Sequence, residues 1–193
     1  MNTLDCIFSR RSNRKFLPTP VQQEKLKQIV EAGRFAPSGG NSQSCHLIVI
    51  ESREVLSELA VIVREEFAKM EITENMYRSL VNSIQASQRG SYVFHYGAPA
   101  LIVVANKRGY GNAMADSACC LENMMLAANE LDLGSCWINQ LHWLDENPRV
   151  HDYLLELGLL EDETICGSVS IGAVDNLNRS QTKRTGNPVT WIK

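Results

Sequence analysis

Ala100-Leu101-Ile102-Val103-Val104-Ala105-Asn106 is an uncharged apolar run, and the residues just before it, Gly97 to Pro99, break whatever pattern precedes. A short run of this kind, rich in β-branched residues, predicts a buried central strand. Downstream, Met114, Ala118, Leu121, Met125 and Ala128 recur at helical spacing and predict a long amphipathic helix that stops at Gly134. Ser135 to Asn139 then reads as a short strand-like element. Asp145-Glu146-Asn147-Pro148 starts a helix carrying Val150, Tyr153, Leu154 and Leu157 and ending at Gly158, and Ile165 to Ala173 is the last strand. Upstream, His46 to Ile50 (HLIVI) reads as a second buried strand. Thr19-Pro20-Val21-Gln22 matches a capping box with proline at the first helical position, launching a helix with Leu26, Ile29, Val30 and Gly33 on one face that ends at Ala36-Pro37. Ser52 is placed to cap a helix with Leu56, Leu59, Ala60, Val63 and Phe67 on one stripe, and a more polar helix spans residues 73–88. With no repeat, low-complexity segment or linker, residues 1–193 are expected to form one domain of mixed α and β structure.

The composition narrows the functional classes. A net charge of −3 and a pI near 5.8 argue against general binding to nucleic acid or an anionic membrane and favour a small-molecule partner. Met1 to Arg10 lacks the apolar core of a signal peptide, and no apolar run approaches about 18 residues, the length of a membrane span. A cytoplasmic protein is expected. Six cysteines, Cys6, Cys45, Cys119, Cys120, Cys136 and Cys166, show no C-x-x-C spacing, and His46, His95, His142 and His151 form no metal-ligand pattern. The thiols are therefore expected to be reduced and mostly buried, with no metal site. Cys45 and His46, as neighbours on a strand, point to opposite faces and do not make a thiolate and base pair. Gly109-Tyr110-Gly111 sits between a predicted strand and helix, but the third position of a dinucleotide fingerprint falls on Met114 and the acidic residue, Glu130, lies inside a helix.

Within this acidic chain, Arg10-Arg11-Ser12-Asn13-Arg14-Lys15-Phe16 concentrates four cations around two small polar residues. Planar arginine donors with a short serine hydroxyl suit a phosphate oxyanion, while a solvated basic turn is the plainer reading of the same charges. A second polar stretch, Pro37-Ser38-Gly39-Gly40-Asn41-Ser42-Gln43, flanks the HLIVI strand and is composed like a ligand-contacting loop.

Four segments in order resemble the FMN-dependent nitroreductase family over essentially the whole chain. RRSNRKF is similar to the family's R-R-S-x-R segment, PSGGNSQ to its P-S-x-x-N-S-Q loop, GAPALIVVAN to its A-P-x-L-I-V-V strand, and LDLGSCWI to its L-G-L-G-S-C-W-I turn. The resemblance implies an α+β fold, a three-layer sandwich with a central, largely antiparallel sheet flanked by helices. It implies an intertwined homodimer with FMN at the subunit interface, and a C-terminal arm whose Trp191 and Ile192 bury against the other subunit.

Carried over to this chain, the resemblance assigns Arg10, Arg11, Ser12 and Arg14 to the FMN phosphate and ribityl chain, with Lys183 and Arg184 completing the phosphate site. Pro37, Ser38, Gly39 and Asn41 would come from the partner subunit to the flavin ring. Trp137, Ile138 and Asn139 would face the opposite side, with the Asn139 backbone near the ring nitrogen that accepts hydride. No catalytic side chain is implied. A solvated Lys183-Arg184 pair and a core Trp137 remain the plainer readings, and Asp116 and Glu122 are read as structural or solvent-facing. The implied reaction is a ping-pong cycle in which NADH or NADPH reduces FMN and a small-molecule electron acceptor, a nitroaromatic, quinone or activated alkene, takes the electrons. Reductive dehalogenases, flavin-consuming enzymes and a non-catalytic flavin-binding module are the alternatives on the same scaffold. Two departures from the family pattern, Ser44-Cys45 in place of Pro-Trp and Asn139-Gln140 in place of small glycines, bear on the pocket.

Overall fold

Successive side chains of the ALIVVAN strand point to opposite faces of a sheet, and this alternation builds both halves of the interior. The computed structural model describes all 193 residues. In chain order the elements are α1 (Thr3–Ser9), α2 (Gln23–Arg34), β1 (His46–Ile50), α3 (Arg53–Ala68), α4 (Arg78–Gln88), β2 (Ala100–Lys107), α5 (Ala113–Glu130), β3 (Gly134–Ile138), α6 (Gln140–Trp143), α7 (Pro148–Glu156) and β4 (Glu163–Gly172). The four strands form one sheet in the order β1-β2-β4-β3, with every neighbouring pair antiparallel. Leu101, Val103 and Ala105 of β2 pack into a core with residues of α3, α4, α6 and α7, while Ala100, Ile102 and Val104 pack on the other face with residues of α2 and α5. Helices on both faces of an antiparallel sheet make the three-layer α+β sandwich that the resemblance implies. Both central strands, β2 and β4, are buried almost end to end.

β1 and α3 form where the sequence places them, and Ser52 caps α3 by accepting from the Val55 amide at 3.3 Å. The capping box at Thr19 does not form. Helix α2 starts at Gln23, after Gln22, which contributes no side-chain cap. The chain stays extended so that Val21 enters the α2–α5 core, and burying a valine, about 1.5 kcal/mol or more, outweighs a cap worth about 1 kcal/mol. The polar helix is shorter than expected, because residues 73–77 form a turn before α4. On α5 the buried stripe is shifted from the expected one: Met114 is exposed, and the polar Asp116, Ser117 and Asn129 take inward positions where they hydrogen-bond other segments. Asn147, the third residue of the expected start, caps α7 through the Val150 amide. The short helices α1 and α6 were not anticipated. Of the six free thiols, four are buried, but Cys119 is exposed and Cys45 half-buried. No helix is long and apolar enough to cross a membrane. After β4 the chain is irregular, and Trp191 and Ile192 are exposed, covered by nothing within the chain.

Candidate functional site

The cationic segment is fixed at both ends. Upstream, α1 docks on the C-terminal half of α5, where the Asn129 side-chain amide donates to the Cys6 carbonyl and the Ser9 hydroxyl, both at 3.0 Å. Downstream, the chain runs beside β3: the Asn13 amide donates to the Ser135 carbonyl at 2.8 Å, and Ser12 and Ser135 form a parallel bridge. The backbone carries much of the attachment, and the Arg10 and Arg14 guanidinium groups donate no hydrogen bond to it. The Arg10 Nε lies 3.8 Å from Glu122, yet its Nη1 is buried without any hydrogen-bond partner. Arg11 turns back on the chain, donating to the carbonyls of Phe8 and Arg10 and, from the tail, of Ser180. Arg14 stacks 5.9 Å above the centre of the Tyr96 ring. Ser12, Asn13, Arg14 and Lys15 face Val174, Asp175 and Asn176 across a cleft of about 310 Å³. Cys136 lies under this segment. Burial pushes its thiol up, while the charges of Arg14 and Arg10 and a hydrogen bond from Ser12 act in the opposite direction.

Trp137, Ile138 and Asn139 finish the same strand. Ile138 is buried in the core, Trp137 is half-buried, and its indole N–H donates to the Asn139 side-chain oxygen at 2.6 Å. This bond holds Asn139 as the first residue before α6. Arg10 to Arg14 and Trp137 to Asn139 therefore share one edge of the sheet.

Pro37, Ser38, Gly39 and Asn41 lie elsewhere. Their loop is pinned to the N-terminal turns of α5 by Asp116, which is buried and accepts the Gly39 amide on both carboxylate oxygens at 3.1 Å. The Tyr110 hydroxyl sits 3.2 Å from both the Gly39 carbonyl and Asp116. A Cβ on Gly39 would meet the Asn112 amide and the Tyr110 hydroxyl, so a larger residue there would displace the Tyr110 hydrogen bonds that help hold the loop. Asn41 and Gln43 both have left-handed backbones, at φ 55° and 50°, and the Gln43 amide is held by the Ser38 hydroxyl at 3.0 Å. Strain of this kind persists where surrounding contacts hold it in place, and it concentrates at ligand-contacting segments. The expected structural role of Asp116 is the one seen.

The two groups of residues are not brought together within one chain. Asp116 anchors the loop, Arg10 meets Glu122 six positions along α5, about 9 Å of helix away, and Asn129 anchors α1 a further seven positions on; no hydrogen bond joins the loop to the cationic segment. Lys183 and Arg184 lie exposed in the tail and form no ion pair within the chain. The contact of the tail with this region is made instead by Ser180, through Arg11, and by Arg179, which bonds Asn129 and Asp132. Asn129 is the residue that sequence reasoning missed. Its signal was a polar residue on the apolar stripe of α5, directly after Ala128.

The model of the nitroreductase family matches residues 7–173. A nitroreductase from Bacteroides fragilis NCTC 9343, solved with bound FMN, is 32% identical and superposes over the full length of both chains with a TM-score of 0.87. Another from Desulfitobacterium hafniense DCB-2, also solved with FMN, is 26% identical over the full length of both chains with a TM-score of 0.84. Nitrobenzene nitroreductase from Ectopseudomonas oleovorans is 27% identical over 201 aligned positions, covering 89% of this chain and 86% of that protein.

Proposed function

The chain belongs to the nitroreductase family, and from that premise we propose that it is a cytoplasmic, homodimeric FMN-dependent oxidoreductase that takes its electrons from NADH or NADPH. The observation that carries the reading is the Arg10–Arg14 segment beside β3, with a buried Arg10 Nη1 that donates to nothing in its own chain. A buried cationic donor without an acceptor is costly, and a phosphate oxyanion is the acceptor its chemistry fits. Arg10, Arg14 and the Ser12 hydroxyl would hold the phosphate and ribityl chain of FMN, while Arg11, expected beside them, is taken up by the carbonyls of Phe8, Arg10 and Ser180. Lys183 and Arg184, free of other ion pairs, are available to add charge from the tail.

FMN when bound supplies the redox chemistry, accepting hydride from the nicotinamide and passing electrons to a nitroaromatic, quinone or activated alkene. The chain's part is to bind, orient and shield. On the β3 side, half-buried Trp137 offers an apolar surface, while Ile138, whose side chain is in the core, and Asn139, whose side chain the Trp137 indole holds, would present their backbone, Asn139 as a donor for the ring nitrogen. Pro37, Ser38, Gly39 and Asn41 belong to the other face of the ring. Their separation along α5 from the cationic segment supports a site completed by two subunits, in which each chain lends its loop to the partner. Exposed Trp191 and Ile192 fit the same arrangement as an arm that buries on the partner. Six free thiols suit a reducing compartment.

The test begins with the visible spectrum of the purified protein and the mass of its released chromophore. About one FMN per chain, bleached by NADH or NADPH in stopped flow and reoxidised by a quinone at a rate well above free FMN, is the expected result. A colourless protein that FMN does not reconstitute would remove the cofactor, and with it the reaction. A flavin that resists both nucleotides while the photoreduced protein still reduces the quinone would sink the donor alone.

A further inference from the structure

Where the family pattern has an aromatic residue after the polar loop, this chain has Cys45, and its sulfur is surrounded by donors. The Ser117 hydroxyl lies 3.6 Å from Cys45 Sγ, and the side-chain amide of fully buried Asn106 donates to it at 3.5 Å. Cys120, one turn along α5 from Ser117, belongs to the core cluster against which Cys45 packs. Both cysteines line one cavity of about 110 Å³ beneath the Pro37–Gln43 loop, together with Ser38, Gln43 and Asp116. A water occupies about 30 Å³ of liquid, so a molecule the size of hydrogen peroxide fits the space. We propose that Cys45 and Cys120 form an oxidisable thiol pair, in which a hydroperoxide oxidises Cys45 and Cys120 resolves it as a disulfide.

The two cysteines differ in the way such a pair requires. Cys45 is half-buried with the Ser117 hydroxyl and the Asn106 amide on its sulfur, whereas Cys120 is only 1% exposed and has neither. The neighbouring Cys120 thiol is the largest influence on Cys45 and brings its pKa below that of an ordinary cysteine. The hydrogen bonds from Ser117 and Asn106 work in the same direction, against burial and the charge of Asp116. Cys120 is pushed up by the Cys45 thiol and by burial. At neutral pH Cys45 therefore holds more thiolate than an ordinary cysteine. The remaining thiols lack this combination. Burial raises Cys136 and Cys166, Cys6 donates to the Leu126 carbonyl, and Cys119 faces solvent away from the cavity.

The chemistry balances without a further reductant. The Cys45 thiolate attacks one peroxide oxygen, the O–O bond breaks, and the departing alkoxide or hydroxide takes up the proton released when Cys45 ionised. The product is a Cys45 sulfenic acid. The Cys120 sulfur then attacks the Cys45 sulfur, and the sulfenic oxygen leaves as water with the Cys120 proton. The two thiols lose two electrons, and the peroxide is reduced to an alcohol, or water, and water.

The test uses the intact protein treated with a few equivalents of hydrogen peroxide, followed by alkylation and peptide mass mapping. The expected product is a Cys45–Cys120 link that dithiothreitol reverses and that forms unchanged in Cys119→Ser. Cys120→Ser should instead leave a Cys45 sulfenic acid that dimedone traps, and Cys45→Ser should form no link. In the untreated protein the alkylation rate of Cys45 should rise at a lower pH than that of exposed Cys119, a readout that needs no variant to fold. Equal alkylation of Cys45 before and after peroxide, or a link to Cys119 instead, would overturn the assignment. Because every readout is the mass or reactivity of a sulfur, the outcome is independent of the flavin reading.

Discussion

The cationic segment and the Pro37–Gln43 loop both read as ligand-facing, yet they are built on opposite plans. The segment from Arg10 to Arg14 is attached through its backbone, by the Asn13 amide on β3 and by α1 on Asn129, and its guanidinium groups carry little of that attachment. The loop is attached through one buried carboxylate, and the groups that hold it, the Gly39 amide and carbonyl, are part of its own tip. In the first region, support and recognition are carried by different atoms. In the second they are carried by the same ones. Side-chain changes in the segment should therefore alter binding without altering stability, and changes around the loop should alter both.

The sharpest way to break this contrast is Arg10→Ala combined with Arg14→Ala. Charge-assisted hydrogen bonds contribute about 2 kcal/mol each, so FMN retention measured by dialysis should fall on the order of a thousandfold, while the melting temperature of the apoprotein hardly moves. A melting temperature that drops with affinity would show that the guanidinium groups also hold the segment. Asp116→Ala should do the reverse. It leaves the Gly39 amide and Tyr110 hydroxyl without their acceptor, at a cost of about 2 kcal/mol and a melting temperature lower by roughly 6 °C, readable by calorimetry. Loss of FMN with no loss of stability would reverse the assignment of roles.

Smaller effects sharpen the comparison. Lys183→Ala with Arg184→Ala should weaken FMN by only a few-fold, about 1 kcal/mol or less, and the difference should vanish in high salt, since both residues are exposed. A salt-independent loss would mean that the tail packs tightly over the phosphate. His95, in neither region, supplies the pH reference. Burial pushes its imidazole below the usual 6.5, so the unfolded chain binds the extra proton first. Its effect on stability is absent above pH 6.5 and grows as pH falls from there through the lowered folded value. Urea midpoints measured from pH 7.5 to 5 should fall on the acid side in the parent protein, and less steeply in His95→Gln.

Strands were the most legible part of this chain. HLIVI and ALIVVAN are short, apolar and bounded by breakers, and their ends fall within a residue of the structure. The capping box at Thr19 failed because local chemistry cannot register that Val21 has a core to enter. The stripe on α5 was misplaced for a related reason: Asp116, Ser117 and Asn129 look like surface residues until the loop and α1 that bond them are in place. The site divides along the same line. Charge density alone singled out Arg10 to Arg14, and composition singled out Pro37 to Gln43. What neither could supply was the distance between them, which is set by a helix that the two segments grip at different turns. Cys45 was legible only as a departure from the family's Pro-Trp and Cys120 only as one of the expected buried thiols, because their proximity depends on α5 packing over the entry to β1.

The strand order β1-β2-β4-β3 has a kinetic side. None of its pairings is a hairpin: β1 reaches β2 across residues 51–99, β2 reaches β4 across 108–162, and β3 reaches β4 across 139–162. Each ladder must close a long loop before any of its hydrogen bonds form, so this chain should fold slowly for its size. The strand most at risk during that search is β2, which from Ala100 to Asn106 has no charge and no proline to discourage pairing with another chain. Refolding yield should therefore fall steeply with protein concentration. The strand at the centre of the finished interior is the one that most needs dilution while the sheet is being made.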